Sequence, residues 1–264
     1  MAHTEGTWTS FAEAPLTRAN LLALIENRIP AIRIRNFATP EECRRFSDAV
    51  EAVGCKYYSV GRKIGYIGLA QYEYRWNRPK ADYFRDAAEA YRQQQALTER
   101  SFDAVGRLME YLRPFTEAGI KIADEAEFGR YYAGIARVAS EGVDLHADWA
   151  PLNSPAYDIA SIDGQLGWNF YAEELVEGGD TIVHNAPWAP ECAPGEIPKS
   201  YGLSYDIVEG APKFTFKAIA GDVVIFNTRN PHEIAAGVAG PRRNRVSIGS
   251  FIGRMPDRQL VLWS

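Results

Sequence analysis

The stretch DLHADWAP at residues 144–151 decides the reading of this 264-residue chain. Alternate residues of an extended backbone point to one side, so His146 and Asp148 can offer an imidazole and a carboxylate to the same ion. A second histidine, His232, lies at the end of GDVVIFNTRNPHEI (221–234), 84 residues beyond Asp148. Two histidines and one carboxylate on one face of an ion leave three positions open, the arrangement of non-haem Fe(II) oxygenases. Two of those positions suit a chelating co-substrate and one suits O2. The H-x-D triplet alone is weak, because strands contain it by chance and a single strand histidine is ordinarily a satisfied core or surface group. His232 and a downstream arginine make the metal reading the preferred one.

That arginine lies in PRRNRVSIGSF at 241–251. A chelating 2-oxo acid turns its far carboxylate toward the protein, and holding it is a task for a fixed, bidentate cation. Arg245 follows His232 by 13 residues and shares a face with Ser247 and Gly249 if the segment is extended. Ser247 can add a hydrogen bond. Arg242 and Arg243 fall in the preceding turn and read as solvated, so Arg245 is preferred.

Working outward, the period is two over most of the second half. Strands are expected at 128–138, 143–147, 166–172, 180–184, 214–218, 222–227, 232–238, 244–253 and 259–263. Gly- and Pro-containing turns such as 177–179, 193–195, 209–212, 220–222 and 239–241 separate them. Many short strands with such turns point to a sandwich or barrel. The first 120 residues read as mainly helical, at 17–28, 40–53 and 81–115, with a strand at 30–36. Thr39, Pro40 and Glu42 form an N-terminal cap signal and Gly54 a stop. Phe102, Val105, Leu108, Met109 and Leu112 make one apolar stripe, expected to pack on a sheet. The expected fold class is α+β: one domain over 1–264, with 1–120 as helical support and 121–264 as the β core carrying the metal site.

Lys and Arg number 29 and Asp and Glu 34, so the net charge is −5. That balance argues against nucleic acid as a partner. No apolar run is long enough for a membrane span, and the start MAHTEGTWTS lacks signal-peptide features. Cys43, Cys55 and Cys192 read as reduced thiols rather than a zinc knuckle, and the expected location is cytoplasmic. Of the four histidines, His3 falls in the terminus and His184, in TIVHN, reads as a strand residue that faces outward or is hydrogen-bonded, rather than one that lines the site.

The ordered motifs HAD (146–148), WNFY (168–171) with EGGDT (177–181), AGDVVIFN (220–227), His232 and RVSIGSF (245–251) resemble the Fe(II)/2-oxoglutarate-dependent oxygenases. The layout is similar to the stand-alone aliphatic oxygenases and halogenases of alkaloid biosynthesis, the hapalindole/welwitindolinone type. They share a helical first half, a basic segment before a T/S-I-G-x-F strand and a closing W-S. The resemblance implies a double-stranded β-helix (jelly-roll, cupin-like) core, with His146, Asp148 and His232 as iron ligands and Arg245 as the 2-oxoglutarate anchor. It also implies Fe(II), 2-oxoglutarate and O2 as cofactors, with ascorbate in support, and succinate and CO2 as co-products of hydroxylating an unactivated C–H bond. The halogenases carry a small residue in the carboxylate's place. This chain keeps Asp148, which favours hydroxylation over chlorination.

Further candidates line the same region. Asn169 and Tyr171 share one face of their strand, with Trp168 and Phe170 on the other. Asn169 is a candidate partner for 2-oxoglutarate or substrate, and Tyr171 for substrate. Trp149 follows Asp148, Trp188 sits in a long loop at 185–200 that suits a lid, and Arg137 can meet a substrate carboxylate or phosphate. Each has a plainer reading as core or surface. YEYRWNRP (72–79) is either an aromatic wall from the helical half or an Arg-on-aromatic stack. The expected partner is a small-molecule substrate, a secondary metabolite by composition, and the chain reads as monomer or homodimer. Desaturation, cyclisation, epimerisation and halogenation remain alternative outcomes. A non-redox cupin-like metal or ligand binder is the alternative from another class, and an interaction surface on the 81–115 stripe is a third.

Overall fold

The computed structural model describes residues 8–58, 64–75, 78–190, 202–241 and 244–264. His3, Cys192, Arg242, Arg243, the turn at 193–195 and most of the 185–200 loop lie outside the described residues.

The helix Pro40–Val53 begins as its sequence dictates. Thr39 Oγ1 accepts the Glu42 N–H at 3.2 Å, and Glu42 Oε2 accepts the Thr39 N–H at 2.9 Å. Pro40 takes the first turn, where no donor is needed, and Gly54 ends the helix at φ 81°. The same Glu42 pairs with Arg107 at 2.6 Å and so ties this helix to Ala104–Leu112. Arg107 and the Thr39 backbone N–H pull the Glu42 carboxyl from 4.5 to about 2. A depressed carboxyl contributes stability that is fully present above pH 4.5 and is lost as the pH falls toward 2. Glu42→Gln is therefore expected to cost about 1 kcal/mol at pH 7. Denaturant titrations at pH 7 and pH 3 check this, since the gap to the wild type should narrow at the lower pH.

The helical run expected over 81–115 is two helices, Lys80–Arg100 and Ala104–Leu112. Asp103 starts the second by accepting the Gly106 N–H at 2.9 Å. Val105, Leu108 and Leu112 are buried in the main core, with Phe102 and Met109 packed against it. The stripe is taken up by packing within the chain.

Among the described residues, two large, mainly antiparallel sheets make up most of the β part, with two two-stranded ribbons beside them. In the larger, the order is Ala31–Ile34, Val223–Asn227, Gly164–Glu173, Arg245–Arg254, Ile135–Ala139, Ile64–Ile67 and Lys56–Tyr57. Leu260–Trp263 pairs with the far end of Arg245–Arg254 and, in parallel, with Ile120–Ile122. The smaller sheet runs Lys213–Phe216, Thr181–His184, His232–Ile234, Val143–His146. The first 120 residues thus supply strands at both edges of the large sheet, as well as helices. The strand expected at 128–138 divides into Gly129–Arg130 and Ile135–Ala139 around Gly134, whose φ of 102° breaks the extension. That expected at 232–238 divides into His232–Ile234 and Gly237–Val238.

Both faces of the large sheet are buried. Leu166, Trp168, Phe170, Val223, Ile225, Val246 and Ile248 pack with Phe46, Val50, Leu108 and Leu112 of the helices. On the opposite face, Tyr171, Val224 and Phe226 pack on Val183 and Phe216 of the small sheet. Alternation along Gly164–Glu173 therefore turns Trp168 and Phe170 to the helices and Tyr171 inward. Trp263 belongs to a separate aromatic core with Tyr83, Tyr131 and Tyr157. Among the described residues, no helix is long and apolar enough to cross a membrane.

Candidate active site

Two strands of the small sheet bring the histidines together. Val143–His146 pairs with His232–Ile234 so that His146 and His232 stand directly opposite, their ring centroids 4.1 Å apart. Asp148 lies just beyond the strand end. Its N–H donates to the Thr228 carbonyl at 2.9 Å, and Thr228 Oγ1 donates back to the Asp148 carbonyl at 3.2 Å. The Asp148 Oδ2 then lies 3.8 Å from His146 Nε2 and 3.7 Å from His232 Nε2. One donor atom from each of the three buried residues falls within 4.8 Å of the others.

Both separations exceed hydrogen-bond length, so the carboxylate does not hydrogen-bond either Nε2 directly. Donor atoms about 2.1 Å from one ion stand at most about 4.2 Å apart, and both carboxylate distances lie inside that limit. The ring orientation fits as well. His146 Nδ1 donates to the Asp144 carbonyl at 2.7 Å and His232 Nδ1 to the Asn230 carbonyl at 2.9 Å. A carbonyl only accepts, so Nδ1 carries the proton, and in a neutral ring the Nε2 lone pair faces Asp148. Burial, reinforced by the neighbouring His146, holds the His232 pKa well below its ordinary value and keeps the ring neutral. Phe226 closes over that ring edge-on at 4.9 Å.

Arg245 occupies the face of the large sheet that looks toward the small one. It is buried, yet its Nε has no hydrogen-bond partner and no ion pair reaches it among the described residues. Its side-chain bond among the described residues is long, from Nη2 to the Tyr171 hydroxyl at 3.4 Å, with the guanidinium 5.1 Å from that ring's centroid. An uncompensated buried cation is costly. Its chemistry fits a carboxylate-bearing ligand. Tyr171 stands opposite Ser247, Ser247 opposite Arg137 and Arg137 opposite Tyr66, giving a polar row across four strands. Asn169 stands opposite Gly249, and a Cβ on that glycine would meet Asn169 Oδ1 at 2.6 Å. The structure thus sets Tyr171 against Arg245.

Trp149 and Trp188 are joined by a residue the motif reading did not single out, Arg229. Its guanidinium lies 5.1 Å from the Trp149 ring, its Nε donates to the Trp188 carbonyl at 2.9 Å, and its carbonyl accepts the Trp188 N–H at 2.8 Å. A cation three residues before the second histidine, in NTRNPH, was the available signal. The 72–79 segment divides. Burial pushes the Tyr72 hydroxyl up, and Asp148 and Arg137 are among the charges it feels. Tyr74 instead donates to Asp86 at 2.8 Å with Arg78 stacked on its ring at 3.8 Å, a structural brace. His184, at the end of its strand, is buried and within 3.3 Å of Glu233, the hydrogen-bonded rather than the outward-facing alternative.

The family described as carrier-protein-independent halogenase WelO5 matches residues 11–264. The leucinostatins biosynthesis cluster protein S of Purpureocillium lilacinum is 31% identical over 211 residues, covering 76% of this chain and 86% of that one. The L-gamma-glutamyl-L-propargylglycine hydroxylase of Streptantibioticus cattleyicolor is 26% identical over 277 residues, covering 99% and 98%. Among solved structures, an N-substituted L-amino acid dioxygenase from Burkholderia ambifaria, in complex with alpha-KG, superimposes with a TM-score of 0.63 at 14% identity, covering 93% of this chain and 90% of that one.

Proposed function

The chain belongs to the carrier-protein-independent halogenase WelO5 family, within the Fe(II)/2-oxoglutarate oxygenases, and from that premise we propose that it hydroxylates an unactivated C–H bond of a small molecule. The two facing sheets are read as the halves of a jelly roll. The observation that carries the proposal is the Asp148 carboxylate, 3.7 and 3.8 Å from the two imidazole Nε2 atoms. A carboxylate there fills the position that a halide needs and adds a negative charge that repels one. Hydroxylation is therefore favoured over the chlorination that the family's description suggests.

Bound at this centre, Fe(II) with 2-oxoglutarate supplies an oxidant derived from O2, with succinate and CO2 as co-products. The chain's own work is orientation. His146 and His232 present their Nε2 atoms, each ring fixed through Nδ1 by a backbone carbonyl. Arg245 takes the far carboxylate of 2-oxoglutarate, with Ser247 and Asn169 as neighbouring donors and Tyr171 bracing the guanidinium. Phe226 and the inter-sheet core keep water from the centre. Trp149, Arg229 and Trp188 on one side, with Tyr72 and Arg137 on the other, form the surroundings that choose the carbon. Two relatives named for a biosynthesis cluster and for hydroxylating an amino-acid derivative favour a secondary-metabolite substrate.

The test is incubation with Fe(II), ascorbate, 2-oxoglutarate and O2 in the presence and absence of chloride. Succinate should form whether or not chloride is present, and the substrate should gain one oxygen. A chlorinated product would replace the hydroxylase reading with a halogenase one. Absence of 2-oxoglutarate binding would favour a redox-inert cupin-like binder, for which an unpaired buried Arg245 has no use.

A further inference from the structure

The hydrogen bonds that orient Asp148 and His232 from behind return to one short loop, NTRNPH at 227–232. Thr228 holds the Asp148 backbone through two reciprocal bonds. Two residues on, the Asn230 carbonyl accepts His232 Nδ1. One loop therefore sets two of the three candidate ligands, and what fixes the loop sets the centre.

The loop is gripped by the C-terminal end of the helix Arg18–Ile25. Asn227 Nδ2 donates to the Leu24 carbonyl at 3.3 Å and the Ile25 carbonyl at 3.4 Å. Beyond that helix Asn27 adopts φ 57°, a left-handed conformation that asparagine tolerates. Its Oδ1 accepts from Asn230 Nδ2 at 2.7 Å and from Trp8 Nε1 at 3.0 Å, while its Nδ2 donates to Asn185 Oδ1 at 3.1 Å. The chemistry fixes these orientations. An indole N–H only donates, so the Asn27 atom facing Trp8 is oxygen. The Asn230 atom facing that oxygen must then be its nitrogen, and Asn185 must offer oxygen to the remaining Asn27 N–H. Asn230 is fully buried, so its amide has no alternative donor site in water.

We propose that Asn27 and Asn230 are positioning residues for the metal centre: their buried amide pair fixes the loop carbonyl that holds His232 with Nε2 turned to the metal. The inference rests on the metal reading above. The helical half then contributes to the centre without contacting it.

The experiment compares anaerobic Fe(II) affinity and metal-free thermal stability. Asn230→Asp sets an acceptor against the Asn27 oxygen, and Asn27→Gly deletes the amide while keeping the left-handed backbone. Both are expected to weaken Fe(II) binding about 10- to 100-fold. Asn27→Asp keeps an oxygen facing Trp8 and Asn230, and the Asn185 amide can turn over to donate, so near wild-type affinity is expected. Asn185→Ala breaks a buried amide bond of the same network without touching the loop and should lower thermal stability while leaving Fe(II) affinity unchanged. Wild-type Fe(II) affinity in Asn230→Asp and Asn27→Gly overturns the proposal. So does equal weakening by Asn185→Ala, or failure of both clamp variants to fold, which would assign the pair to the fold alone. Absence of Fe(II) binding by the wild type would instead overturn the metal reading itself.

Discussion

Asp148→Ala is expected to abolish 2-oxoglutarate turnover coupled to substrate oxidation and to weaken Fe(II) binding by more than about 100-fold. Loss of an outer partner of a metal ligand typically costs 10- to 100-fold, and this variant removes a proposed ligand itself. The variant also removes the only acidic side chain in the candidate triad. The fold should survive. The bonds between residue 148 and Thr228 use the Asp148 backbone and the Thr228 hydroxyl, and an alanine keeps them. Metal-free thermal stability should therefore change little while anaerobic Fe(II) titration changes greatly. Any turnover that persists should depend on chloride, because the freed position is the one a halide takes. Wild-type Fe(II) affinity in this variant would remove Asp148 from the centre.

The second large effect concerns Arg245, and its sign differs between two measurements. Truncating one partner of a buried, hydrogen-bonded charge pair costs about 2–5 kcal/mol, or about 30- to 5,000-fold in affinity. Arg245→Met should weaken 2-oxoglutarate binding by that amount. Lysine should restore little of it, since a point charge cannot reproduce the two-pronged geometry. Without ligand, however, Arg245 is a buried cation with an unpaired Nε and one long bond to Tyr171. Replacing it by an apolar side chain of similar length should leave the metal-free protein as stable or more stable. A structural arginine behaves in the opposite way, with stability lost and ligand affinity kept. Calorimetric titration with 2-oxoglutarate alongside thermal melts distinguishes the two.

Much of this site is legible in the chain because metal chemistry is demanding of residue type. His146 and Asp148 are two apart, and only a strand register is needed to bring His232 opposite. Thr39, Pro40 and Glu42 likewise announce their helix, since a cap is satisfied within four residues. Long-range features are less visible. Ala31–Ile34 reads as a strand from its alternation, but its place beside Val223–Asn227, like the pairing of Ile64–Ile67 with Ile135–Ala139, is set by distant partners. Asp103 interrupts a continuous helical stripe because its side chain caps Gly106, a local competition that apolar periodicity ignores. Arg229 and Asn27 carry no motif. Their roles arise from contacts made across 41 to 203 residues of chain, with Trp188 and Asn230.

The central claim is that this one centre holds Fe(II) together with 2-oxoglutarate. Anaerobic titration of the Fe(II)-loaded protein with 2-oxoglutarate, followed by visible absorption, tests it most directly. A saturable charge-transfer band should grow in for the wild type, need far more 2-oxoglutarate in Arg245→Met, and be absent in Asp148→Ala at the same Fe(II) concentration. A wild-type protein whose Fe(II) spectrum 2-oxoglutarate does not alter would contradict the account.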